Sequence, residues 1–240
     1  MSKLYFSYAA MNAGKSTVLL QASWNYQERG MRTLLFTSAL YAKQEDGRIT
    51  SRIGINANAT LYIEADDLQA RITREHKKKK VDCVFVDEAQ FLTKDQVWQL
   101  ARISDRLGIP VLCYGLRTDF RGELFPGSAE LLAIADSLRE IRTICHCGRK
   151  ATMVVRRTAE GKALTSGAQV GIEKSMYLSL CRAHWEEETG RWPAAKPKAK
   201  AKTTAKKKPA KKTHLKLAAA STPRPPRHVK RQSVSQYKLR

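Results

Sequence analysis

Three groups of residues in this 240-residue chain have the types and spacing that chemistry requires. The first is Ala9-Ala10-Met11-Asn12-Ala13-Gly14-Lys15-Ser16, which follows an apolar run and precedes a helical one. A glycine-containing loop between a strand and a helix presents backbone N–H groups to phosphate oxygens. Lys15 would reach the β- and γ-phosphates of a nucleotide, and the Ser16 hydroxyl would ligate Mg²⁺. The first position of the phosphate-loop pattern is alanine here rather than glycine. Gly14, beside the lysine, is kept.

The second group is Val84-Phe85-Val86-Asp87-Glu88, an apolar strand ending in two acids. Strands of open parallel sheets end at the ligand crevice, so these acids are expected to face the phosphates. Asp87 would hold Mg²⁺, directly or through water. Glu88 is placed to accept a proton from an attacking hydroxyl or to orient a water. Without the phosphate loop, a solvated loop acid would be the simpler reading.

The third group is Cys145-His146-Cys147-Gly148, followed 34 positions after Cys147 by Cys181-Arg182-Ala183-His184. Two close pairs of soft ligands around a β-like segment suit a tetrahedral structural Zn²⁺ held by Cys145, Cys147, Cys181 and His184. The rivals are a disulfide, disfavoured in a reducing compartment, and cysteines buried by chance. His146, between two ligands, is expected to point away. Cys83 and Cys113 lie within apolar runs and read as core residues.

These groups need elements to position them. KLYFSY, TLLFTS, VDCVFVDE, VLCYGL and LREIRTI read as strands. STVLLQASWNYQERG, DDLQARITREHKKKK, TKDQVWQLARISDRLG and GSAELLAIADS read as helices. Thr93 is the expected N-cap of the third helix and Gly108 its stop. Residues 38–60 are polar and read as a mobile surface loop. The alternation predicts an α/β fold: a P-loop NTPase-like parallel sheet flanked by helices over residues 1–144. Residues 145–192 then form a small zinc-binding, β-rich lobe containing MVVRR and MYLSL. Residues 193–240 carry 16 Lys or Arg and no acid, leaving +6 of the net +22 for residues 1–192. That Lys/Ala/Pro-rich tail has too few large apolar groups to order itself and reads as disordered.

No apolar run is long enough for a membrane span, and the N-terminal residues lack a signal-peptide pattern. An odd count of five cysteines does not suggest a secreted disulfide framework. A cytoplasmic protein is expected. Asp87-Glu88-Ala89-Gln90 also has the form of a helicase acidic box, so a P-loop ATPase acting on nucleic acid is an alternative. Such motors usually need paired ATPase domains or a ring, and no second set of motifs is present. A zinc-containing DNA-binding protein without catalysis is a further alternative, against which the intact Lys15, Asp87 and Glu88 argue.

YAAMNAGKST, VFVDEAQF and YGLRTDFRGELF resemble the type II thymidine kinases, especially those of enteric bacteria. CHCGRKATMV and CRAH resemble that family's zinc-binding stretches. The similarity runs from about Lys3 to about Trp185. It implies ATP-dependent phosphorylation of the thymidine 5′-hydroxyl by a homotetramer, with Mg²⁺ and a structural Zn²⁺. It implies Glu88 as general base, and Asp87 through Glu88, Ala89 and Gln90 as part of the ATP site. Phe91 and Tyr177 resemble aromatics that enclose the thymine, with Met11, Leu116 and Phe120 as apolar neighbours. Two stretches depart from the family. The lasso loop that holds the nucleoside runs Gln169-Val170-Gly171-Ile172-Glu173-Lys174-Ser175-Met176-Tyr177, shorter and without a Gly pair. Tyr41-Ala42-Lys43 stands where relatives often have D-D-R, keeping a charge but not the arginine fork. The basic tail lies outside the resemblance, and its lysines suit non-specific contact with nucleic-acid phosphates.

Overall fold

The computed structural model describes residues 2–42, 47–169 and 176–191. Lys43, the loop residues Val170 to Ser175 and the basic tail from 193 onward lie outside the described residues. Strands β1 (Leu4–Ala9), β2 (Thr33–Ser38), β5 (Thr60–Tyr62), β6 (Cys83–Val86), β7 (Val111–Leu116) and β8 (Ser137–Glu140) form one sheet in the order β5-β2-β6-β7-β1-β8. Every neighbouring pair is parallel. All six strands therefore point their C-terminal ends to one edge.

Side chains of a strand alternate between faces, and here both faces are buried. Phe36, Val84, Val86, Val111 and Cys113 face one apolar cluster together with Leu68, Ile72, Leu100 and Leu131. Those last four belong to helices α3 (Leu68–Lys78), α4 (Lys94–Leu107) and α5 (Pro126–Ile134). Leu35, Cys83, Phe85 and Tyr114 face a second cluster, closed by Leu19 and Leu20 of α1 (Lys15–Gln27) and by Ile49.

The helix ends follow their sequences. Asp67 caps α3 by accepting from the Ala70 N–H at 2.8 Å, and His76, Lys77 and Lys78 sit in its last turn, where the dipole favours cations. Thr93 caps α4 with a reciprocal capping box to Gln96, and Gly108 stops that helix in the left-handed conformation.

Two stretches depart from expectation. Residues 38–60 are not an irregular loop: they hold the short helix α2 (Ala39–Ala42) and an antiparallel hairpin of β3 (Arg48–Thr50) and β4 (Asn56–Asn58). Their sequence is polar because one hairpin face is exposed, while Ile49 anchors the other beside α1. LREIRTI is two strands rather than one. After the Ile141 N–H bonds to the Tyr8 carbonyl, the chain leaves the sheet, and β9 (Thr143–Ile144) pairs with β10 (Lys150–Ala151). MVVRR and MYLSL are β11 (Met153–Arg157) and β13 (Met176–Leu180), antiparallel in a three-stranded sheet with β12 (Ala163–Leu164). Helix α6 (Arg182–Thr189) completes this lobe. Among the described residues, no helix is long and apolar enough to cross a membrane.

The first turn of α5 seats on a 3-10 turn, Ala89–Phe91, with no room to spare. A Cβ on Gly127 would lie 2.5 Å from the Ala89 carbonyl oxygen and 2.8 Å from that of Leu92. Gly127→Ala is therefore expected to destabilise the fold by about 1–3 kcal/mol, read as a lower urea midpoint. An unchanged midpoint would show that α5 does not seat this closely.

Candidate active site

In a sheet ordered β6-β7-β1, the loop after β1 and the acids after β6 flank the end of β7. The loop at Met11 to Gly14 uses left-handed backbone at Asn12 (φ 62°) and Gly14 (φ 82°). Asparagine and glycine are the residues that tolerate it. Ala9, at the position where the phosphate-loop pattern begins, is the last residue of β1 and needs no such conformation. This explains why alanine is accepted there. Gly14 is the N-cap of α1 and offers no side-chain cap. The first N–H groups of a 13-residue helix are thus left for an anion.

Lys15 is only 8% exposed. The Ser16 hydroxyl donates to Asp87 Oδ2 at 2.9 Å, so the two proposed magnesium ligands stand side by side. Asp87 is 3% exposed. Burial, then the Glu88 charge, push its carboxyl up to about 7, against the opposing pull of Lys15 and the Ser16 hydrogen bond. A divalent cation at the Ser16–Asp87 pair would hold the carboxylate ionised. An oxygen pair beside a helix N-terminus and a lysine fits a hard, phosphate-bridged cation.

Glu88 adopts φ 52°, an uncommon left-handed backbone for a glutamate. The Glu88 N–H donates to Asp87 Oδ1 at 3.0 Å, and the Tyr62 hydroxyl donates to the Glu88 carbonyl at 2.8 Å. Ala89 and Gln90 follow in a 3-10 turn and are buried beside Asp87 and Glu88.

The five residues assigned to a nucleoside pocket are drawn from four segments. Leu116 ends β7, and its N–H donates to Gln90 Oε1 at 3.0 Å. Half-buried Phe91 meets Phe125 edge to face, with centroids 5.8 Å apart. Phe120 is buried, while Met11 and Tyr177 are half-buried. The Ser179 hydroxyl donates to the Met11 carbonyl, and the Asn12 amide lies 3.5 Å from the Tyr177 carbonyl. Strand β13 thereby lies directly against the phosphate loop.

Three residues of this region escape a reading by motif. Buried Asp119 organises the turn that carries Phe120, accepting from the N–H groups of Arg121 (2.8 Å) and Glu123 (3.0 Å) and pairing with the Arg121 guanidinium. The D-x-x-G-x string around it is a turn signal that points to this role. The buried Arg156 guanidinium stands 5.7 Å from the Phe120 ring centroid, a cation–π distance. Ser179 has no sequence signal: only the pairing of β13 places it at the loop.

The second cluster brings all four expected metal ligands together. The donor atoms of Cys145, Cys147, Cys181 and His184 lie within 4.8 Å of one another. Cys145 Sγ and Cys181 Sγ are 3.3 and 3.4 Å from His184 Nδ1, and Cys147 Sγ is 3.9 Å from Cys181 Sγ. A tetrahedral ion with Zn–S bonds of about 2.3 Å separates its sulfurs by about 3.8 Å, so the donor set fits. Gly148, at φ 79°, turns the chain between the first pair of thiols and β10. Burial pushes the Cys145 thiol up, but N–H groups of Cys147 and Cys181, with His184, outweigh it and bring it down to about 6. His146 does not point away as expected. Its ring stacks on His184 with centroids 4.2 Å apart, because the tight Cys145–Gly148 turn folds it back over the cluster. Cys83 and Cys113 are buried in the sheet, as their apolar context predicts.

Comparison with known proteins agrees with this geometry. A family model described as thymidine kinase matches residues 2–185. The chain is 64% identical over 191 residues to a thymidine kinase of Mesorhizobium japonicum, covering 80% of this chain and 94% of that one. It is 62% identical over 188 residues to one from Agrobacterium fabrum, covering 78% and 97%. It is 54% identical over 192 residues to one from Photobacterium profundum, covering 80% and 100%.

Proposed function

Because the chain belongs to the thymidine kinase family, we propose a division of labour among the residues at the ends of β1, β6 and β7. The reaction is transfer of the γ-phosphoryl group of ATP to the 5′-hydroxyl of thymidine, giving thymidine monophosphate and ADP. The new bond joins the thymidine O5′ to the γ-phosphorus. The bond from that phosphorus to the bridging oxygen breaks, and ADP departs with the electron pair. The hydroxyl proton passes to the Glu88 carboxylate.

Backbone N–H groups of Ala9 to Ser16 and the Lys15 ammonium hold the phosphates. Ser16 and Asp87 hold the divalent cation, which we assign as Mg²⁺. When bound it supplies neutralising charge at the β- and γ-oxygens. The contact that carries this assignment is Ser16 to Asp87 at 2.9 Å, which joins the phosphate loop and the acidic strand end in one site. Met11, Phe91, Leu116, Phe120 and Tyr177 form the proposed nucleoside pocket, supported by the contact of β13 with the loop at Met11. Residues 1–144 do the chemistry and 145–192 frame the nucleoside side. The proposed assembly is a homotetramer, for which exposed Trp24, Ile53 and Met176 offer apolar surface. The proposed compartment is the cytoplasm, which suits the unpaired thiols.

Glu88→Gln keeps size and removes basicity. Turnover is expected to fall on the order of a hundredfold or more, with thymidine binding largely retained. Near-normal turnover in that variant rejects Glu88 as the base.

We assign the metal of the Cys145, Cys147, Cys181 and His184 cluster as a structural Zn²⁺, because four protein ligands leave no open position for water. Elemental analysis of purified protein is expected to find about one zinc per chain. Cys145→Ser should lower that content and reduce activity indirectly by loosening the lobe. Absence of zinc from the unmodified protein rejects the site.

The basic stretch 193–240 is proposed to contact nucleic acid through phosphates alone. Truncation after Trp192 should leave kinase activity intact. Duplex-DNA affinity, followed by fluorescence anisotropy across a salt series, should be lost on truncation and fall steeply with salt in the full chain. Equal affinity with and without the stretch defeats the proposal.

A further inference from the structure

Gln90 sits two residues beyond Glu88, is 1% exposed, and has both ends of its amide engaged. The Leu116 backbone N–H meets the amide at 3.0 Å. A backbone N–H can only donate, so the atom facing it is Oε1. The opposite end of the amide is then Nε2, and it donates to Glu88 Oε2. The β7 backbone thus dictates which way the amide points, and the amide presents a donor to the carboxylate.

The amide is confined as well as oriented. A Cβ on Gly115 would lie 2.9 Å from the Gln90 backbone nitrogen and 3.0 Å from Oε1, so Gln90 is pressed onto bare β7 backbone. From the other side, Gly127 admits the carbonyl oxygens of Ala89 and Gln90. The Glu88 backbone is held in its left-handed conformation by the Tyr62 hydroxyl on its carbonyl and Asp87 on its N–H. Unusual backbone of this kind persists only where the surroundings over-determine it. The glutamate side chain has three rotatable bonds, and without a partner it samples several rotamers. A base that must meet one hydroxyl loses rate for every orientation that misses it.

We propose that Gln90 is a positioning residue that fixes the Glu88 carboxylate for proton transfer, with its own orientation set by the Leu116 N–H. This rests on the reading of Glu88 as the base. It gives Gln90 a role in the chemical step in addition to its expected place in the ATP site.

The test measures kcat, both KM values and Tm for Gln90→Met, Gln90→Glu, Glu88→Gln and the Gln90→Met/Glu88→Gln double variant. Gln90→Met keeps length and loses both hydrogen bonds. Gln90→Glu is nearly isosteric and keeps the Leu116 contact, but puts a second carboxylate where the donor was, so it carries the test if the methionine variant melts early. Each single Gln90 variant is expected to lose kcat on the order of 10- to 100-fold, with KM for thymidine and ATP within about twofold. In the Glu88→Gln background, Gln90→Met should cause little further loss, since no base is left to orient. Wild-type kcat in both Gln90 variants, with Glu88→Gln crippled, overturns the positioning and leaves the base standing. Near-normal kcat in Glu88→Gln overturns the base reading and this proposal with it. Losses that multiply in the double variant, or a raised KM for ATP at unchanged kcat, also overturn it.

Discussion

Burying a carboxylate at the end of a sheet is unfavourable unless its charge is met, and Asp87 is almost wholly buried. The Ser16 hydroxyl and the Lys15 charge, both from the first turn of α1, meet it. Satisfying that one group brings α1 and the loop before it across the end of β7 onto β6. The helix that would receive phosphate is therefore held at the strand that would hold the cation. The same carboxylate accepts from the Glu88 N–H through its second oxygen. It thus shapes the backbone of the residue that follows it, and the 3-10 turn below fits between β7 and α5 only because Gly115 and Gly127 lack side chains.

The β-rich lobe attaches to this arrangement through buried and half-buried polar contacts. The Trp185 indole N–H is shared between the carbonyls of Phe120 (3.1 Å) and Val154 (3.0 Å). The ring itself covers Gly122, where a Cβ would lie 3.2 Å from it. The Arg117 guanidinium donates to the Thr152 carbonyl at 3.1 Å. The turn around Asp119 is consequently clamped between the sheet and the lobe. Cys145, Cys181 and Trp185 share a small apolar cluster, so the four clustered donors are linked to Phe120 through the Trp185 indole.

Much of this was legible in the sequence. The strand–loop–helix at residues 4–27, the strand ending before Asp87 and the capping of α4 are local: each depends on neighbours a few residues away, and each stands where the sequence puts it. The convergence of Cys145, Cys147, Cys181 and His184 was legible because few chemistries use that pattern. The hairpin at residues 48–58 was missed because one apolar residue, Ile49, anchors it, and a three-residue strand leaves almost no periodicity. The break in LREIRTI was missed because an edge strand and the start of a metal turn use the same residue types. Gln90 and Ser179 illustrate the general limit. Their partners, Glu88 with Leu116 and Met11, are set by strand order and register, which no local pattern carries.

Strand β13 is followed directly by Cys181, one of the four clustered donors. Its pairing with β11 runs from Met153 opposite Leu180 to Arg157 opposite Met176. Its register is thus indexed from the end that carries Cys181. Tyr177 and Ser179, two residues apart, share a face whatever precedes Met176. Where Tyr177 and Ser179 stand against the loop at Met11 is therefore fixed by the strand pairing and not by the length of chain before it.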